Sequence, residues 1–116
     1  MAEGFILDKA TILDRLGGDE EIFVVMADMY LQDCDKYCQE LDKALADGDS
    51  QRLYREAHTV KGLLATFADE DSAALAGTLE QRAKLAEDLS GFAPAVEEIK
   101  ARMGILADAL RRERGA

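Results

Sequence analysis

The chain has 116 residues and a mass of 12.7 kDa, the size of one domain, so residues 1–116 are expected to form a single core. Apolar residues make up 48%, enough for a core that needs neither a disulfide nor a metal to fold. Against 24 Asp+Glu stand 14 Lys+Arg, and the formal charge of −10 repels phosphate backbones and anionic lipid, which argues against nucleic-acid and membrane-surface partners.

Punctuation along the chain comes from Gly and Asp rather than from strand or hairpin signals. Gly17-Gly18-Asp19, Asp47-Gly48-Asp49-Ser50, Asp69-Glu70-Asp71-Ser72 and Asp88-Leu89-Ser90-Gly91 each combine a possible helix stop with a possible N-cap. They predict a short helix at about 8–16 and longer ones at about 20–46, 50–67, 71–87 and 92–112. Short connections between long helices favour antiparallel neighbours. The expected fold is therefore all-α: an antiparallel up-down-up-down four-helix bundle with a short additional N-terminal helix closing one end.

The second helix offers a broad apolar stripe: Ile22, Met26, Met29, Tyr30, Cys34, Tyr37, Cys38, Leu41 and Leu45. Cys34 and Cys38 lie one turn apart, but with one histidine in the chain they cannot complete a Cys/His zinc site, so they read as core thiols. Met26 and Met29 likewise read as packing. On the last helix, Phe92, Val96, Ile99, Met103, Leu106 and Leu110 step by 4, 3, 4, 3, 4 and form one seam. No apolar run is long enough for a membrane span, residues Met1 to Asp8 lack the basic start of a signal peptide, and the two cysteines do not make a secreted scaffold. A cytoplasmic domain is expected.

On the third helix Leu53, Ala57, Val60, Leu64 and Phe67 fall within about 40° of one line at about 100° per residue. His58, the sole histidine, stands about 140° from that line, with Lys61 and Gly62 one turn on and Ala65 at i+7. Two readings stand for this group. A lone histidine can be a surface residue without a task, and a mid-helix glycine can relieve tight packing. Yet Gly62 costs about 0.5–1 kcal/mol relative to Ala and is off the core stripe. Its bare backbone would let another protein approach the imidazole, a nucleophile when neutral. The Lys61 ammonium could then neutralise an arriving phosphoryl group.

Ala57-His58-Thr59-Val60-Lys61-Gly62 resembles the A-H-x-[L/V]-K-G signature of histidine-containing phosphotransfer (HPt) domains of two-component phosphorelays. The resemblance extends over nearly the whole chain: Leu13 to Glu21 is similar to the family's first helix and turn, residues 46–50 to the loop before its histidine helix, and Leu79-Glu80 to a Leu-Glu pair on the next helix. It implies a four-helix bundle with His58 exposed and phosphorylated on Nε2, Lys61 at the phosphoryl oxygens, and Tyr54, Gly62 and Ala65 on the docking surface. Glu80 has two readings: a group that bonds the other ring nitrogen and fixes the tautomer, or a solvated surface carboxylate. Two departures stand out. Ala68 occupies a position where many members have Gly, which bears on where the third helix ends, and Leu63-Leu64 replaces a pair that is often small or hydroxylic.

The function so implied is a relay of a phosphoryl group between receiver-domain aspartates through His58. Partners are response-regulator receiver domains, with a hybrid sensor histidine kinase as a second candidate. No cofactor or metal is expected on this chain, since Mg²⁺ belongs to the receiver. No Gly-rich phosphate loop is present, so it should bind no ATP and is no kinase itself; a monomer is expected. The alternatives are the phospho-accepting domain of a histidine kinase and a non-catalytic helical adaptor with an incidental histidine.

Overall fold

The computed structural model describes residues 5–86 and 88–115. Residues 1–4, on which the signal-peptide expectation partly rests, and Glu87, at the expected end of the fourth helix, lie outside the described residues. Five helices follow in order: α1 (Lys9–Arg15), α2 (Glu20–Ala46), α3 (Ser50–Thr66), α4 (Glu70–Leu85) and α5 (Ala93–Gly115). No strand occurs among the described residues, and no helix among them is long and apolar enough to cross a membrane.

Aspartate starts four of these helices. Asp8, Asp19, Asp49 and Asp69 each accept the backbone N–H three residues on, which satisfies a donor that the first turn leaves unpaired. Pro94 sits in the first turn of α5, where its missing N–H costs no helical bond. Three helices end in the same paired closure. Gly18 and Gly48 carry or flank the left-handed turn after α1 and α2; after α3, Asp69 N–H bonds Leu64 O at 3.0 Å and Ala68 N–H bonds Ala65 O at 3.0 Å. There the left-handed residue is Ala68, with φ of 59°, the one non-glycine of positive φ among the described residues.

α4 ends at Leu85, earlier than the expected 87. Ala86 turns to an extended backbone with ψ of 138°, and Leu85 is left exposed. α5 runs three residues past the expected 112, to Gly115.

α2 packs on α3 and α5, and α4 packs on α3 and α5, so the four long helices close a ring around one core. The connections at 47–49 and 67–69 are too short to carry the chain back along a helix, so α2, α3 and α4 reverse direction in succession. α1 caps one end: Ile12 is buried, and Arg15 reaches across to donate to Ala65 O at 2.9 Å and to pair with Glu70 at 3.4 Å.

The expected seams of α3 and α5 are both buried in full. The α2 stripe needs correction. Its buried face is Phe23, Ala27, Tyr30, Cys34, Leu41 and Ala44, whereas Ile22 is 44% and Met29 58% exposed. Alanines take two of the core positions because small side chains let neighbouring helices approach, so a search for large apolar residues picks the wrong edge of the stripe. Met29 is therefore a surface residue and not packing; Met26 is half-buried against the core. The thiols fall as expected: Cys34 is buried and Cys38 half-buried, with Cys38 Sγ 4.0 Å from Met103 Sδ. Tyr30 ties α2 to α5 by donating its hydroxyl to Met103 O at 2.8 Å, and its ring meets Phe67 edge-on at 5.5 Å.

Candidate functional site

The core stripe of α3 decides where His58 points. With Leu53, Ala57, Val60 and Leu64 turned inward, the imidazole stands on the outer side of the helix, its side chain 65% exposed. Its Nδ1 lies 3.0 Å from Oε2 of Glu80 on α4. The carboxylate is nearly wholly buried, so the reading of Glu80 as a solvated surface group is overturned. Helical spacing on α4 suggests a core stripe of Leu75, Leu79, Ala83 and Ala86, but the buried face is rotated from it. Ser72, Ala73, Ala76, Leu79, Glu80 and Ala83 are buried, while Leu75 and Ala86 are half-buried. The small residues on that flank let α4 press close to α3 and enclose the carboxylate between them.

Lys61 completes the group. Its ammonium is 2.7 Å from Oε1 of Glu80, so one carboxylate holds the imidazole with one oxygen and the ammonium with the other. The Lys61 contact is a close ion pair on a carboxylate that solvent scarcely reaches. The ammonium of Lys61, more than the His58 contact, holds the Glu80 carboxyl below the usual carboxylate range, against the opposing effect of burial. A buried carboxylate without a cation would be strongly disfavoured, so the lysine is what permits Glu80 to stay ionised there. An ionised Glu80 can only accept from Nδ1–H, so in the neutral ring Nε2 is the nitrogen that carries the lone pair.

Gly62 is exposed, and a Cβ added to it would meet nothing within 4 Å. Tight helix packing is therefore not the reason for this glycine. Ala65 is half-buried, its carbonyl shared by Arg15 and by the closure of α3. Tyr54, one turn before His58, is half-buried, with the Lys84 ammonium 6.0 Å from its ring centroid. Next to this face, Leu63 and Thr66 of α3 and Met26, Met29 and Tyr37 of α2 line a shallow groove of about 130 Å³.

The sequence matches the family model for the Hpt domain over residues 25–113, well over half of the chain. The chain belongs to the Hpt domain family. Among solved structures this Hpt domain is similar to histidine-containing phosphotransfer protein B from Pseudomonas aeruginosa PAO1, with 25% identity, a TM-score of 0.83 and 94% of each chain covered. It also shares its fold with the HPT domain of a sensor hybrid histidine kinase from Shewanella, with 15% identity, a TM-score of 0.79 and 91% of each chain covered. Among curated protein sequences none matches it. Both neighbours support the all-α bundle expected of this Hpt domain.

The sequence placed His58, Lys61 and Gly62 on one face of one helix because helical spacing alone does that. It left the burial of Glu80 open, and it did not foresee that Glu80 would hold the lysine as well as the histidine. The signal available was Ala73 and Gly77 before Glu80, small residues that mark where another helix comes close.

Proposed function

We propose that this Hpt domain relays a phosphoryl group between receiver-domain aspartates, with His58 as the acceptor and donor. The observation that carries this reading is the bond between His58 Nδ1 and the buried Glu80, which fixes the tautomer whose free nitrogen is Nε2. In the forward step the Nε2 lone pair attacks phosphorus of a receiver's aspartyl phosphate. A P–N bond forms, the acyl P–O bond breaks, and the aspartate carboxylate leaves with the bonding pair. The ring keeps its Nδ1 proton and gains positive charge, which the Glu80 carboxylate stabilises from 3.0 Å. Transfer to the next receiver reverses the same bonds.

Lys61 would turn part of its charge from Glu80 toward the phosphoryl oxygens. The exposed backbone at Gly62, with Ala65 and Tyr54 beside it, is the surface on which the receiver sits. Receivers supply the Mg²⁺ and most of the electrostatic stabilisation, so this chain carries the nucleophile and its two supports. The domain acts as a monomer in the cytoplasm, and a hybrid sensor histidine kinase is a second partner class.

Incubation with a phosphorylated receiver tests this. The parent chain should take up label that is stable in alkali and labile in acid, as a phosphoramidate is, and His58→Gln should take up none while keeping its helical circular dichroism. Label retained by His58→Gln would overturn the assignment, and a parent chain that never accepts label would leave the adaptor reading in its place.

A further inference from the structure

Gly77 lies in α4, one turn before Glu80, and is half-buried. A Cβ built on it would stand 3.3 Å from Cδ of Lys61, inside ordinary carbon–carbon contact. By contrast, at Gly17, Gly18, Gly48, Gly62, Gly91 and Gly104 a Cβ would meet nothing within 4 Å. Nor does its backbone need glycine, since it is helical with no positive φ. A glycine inside a helix is unfavourable relative to alanine, so its presence here is accounted for by space.

The space is filled by lysine. The Lys61 stem leaves α3 and crosses α4 at Gly77, and its ammonium ends 2.7 Å from Glu80 Oε1. We propose that Gly77 is a positioning residue of the phosphotransfer site, its bare backbone forming the berth that seats the Lys61 stem and holds the ammonium on the carboxylate that also holds His58. This rests on the phosphorelay reading for its consequence, though not for its geometry. A free lysine side chain samples many rotamers, and ordering it beforehand removes that entropy from the moment of transfer. Gly77 touches neither His58 nor any reacting atom; it acts through Lys61.

Two substitutions and two readouts test it. Gly77→Leu fills the berth, and transfer from a phosphorylated receiver should slow about tenfold, toward the rate of Lys61→Ala. In the Lys61→Ala background the same substitution should cause no further slowing, because the two act through one ammonium. Titration of the Glu80 carboxyl by NMR is independent of transfer. Its midpoint should move upward in Gly77→Leu, since Lys61 and His58, both on α3, are the groups whose charge bears on it. Gly77→Ala, which asks Cδ to move only slightly, should give a smaller change of the same sign and should fold, because alanine favours the helix. An unmoved Glu80 midpoint in both variants overturns the proposal, as does slowing that multiplies with that of Lys61→Ala. If the midpoint moves but the parent chain accepts no phosphoryl group, the berth stands and the phosphorelay reading fails. If the parent chain accepts the group but the carboxylate does not respond, the phosphorelay reading stands and the berth fails.

Discussion

Nδ1 of His58 and Oε2 of Glu80 are 3.0 Å apart, although the histidine side chain is 65% exposed and that of Glu80 only 5%. The nucleophile proposed for phosphotransfer is thus anchored to a group that solvent scarcely reaches. The burial lets the carboxylate orient and stabilise the ring without competition from water. The same burial makes Glu80 dependent on Lys61.

That dependence has a pH signature. The folded-state pKa of Glu80 lies below its ordinary value, so its contribution to stability is fully present above the unfolded carboxylate value of about 4.3 and is lost as pH falls through the lower folded value. Glu80→Gln keeps an acceptor for Nδ1–H but has no charge. In denaturant melts the stability advantage of the parent chain over Glu80→Gln should shrink as pH falls below about 4.3. An advantage that grew as pH fell below about 4.3 would contradict the ion pair with Lys61.

Lys61→Ala should slow phosphoryl acceptance by about tenfold and leave it measurable, since the lysine provides one charge-assisted contact beside those of the receiver. The substitution also strands the buried carboxylate without its cation. The Glu80 midpoint should therefore rise, which NMR titration would record. Transfer at the parental rate would remove Lys61 from the chemistry.

Gly62→Gln should produce two effects of opposite sign. Its position is helical and exposed with open space around it, so glutamine should raise stability by roughly 0.5–1 kcal/mol through helix propensity. The side chain would also stand one turn from His58, where a receiver must approach, and transfer should fall sharply. Melts and transfer rates on the one variant check both halves; a stabilised variant of undiminished rate would free this face of any docking role.

Ala68 is held at φ of 59° by the two hydrogen bonds that close α3. A side chain is disfavoured in that left-handed region, whereas glycine enters it freely. Ala68→Gly should raise stability by roughly 0.5–1 kcal/mol, the relief of strain exceeding the added freedom of the unfolded chain. A matched pair of urea melts measures this, and a destabilised variant would show that the Ala68 methyl matters more in packing than in backbone strain.

Whatever depends on local chemistry and helical period was legible in the chain of residues alone. Aspartates before apolar runs marked the starts of α2 and α3, and the starts of α1 and α4 were each one residue off, because a capping carboxylate works within a single turn. The seams of α3 and α5 were legible because large side chains recur at regular steps, and the exposure of His58 followed by subtraction from that stripe. Whatever depends on how near two helices come was fixed only by their assembly. Ile22 and Met29 were placed inside by their hydrophobicity and are outside, since Ala27 and Ala44 are what a close neighbour can pack against. Ala68 revealed its strain only as a dihedral angle. Glu80 shows the difference most clearly. Its place on α4 is fixed by sequence, but its burial, its low pKa and its hold on His58 and Lys61 exist only because α4 lies against α3, with Gly77 leaving room for the lysine between them.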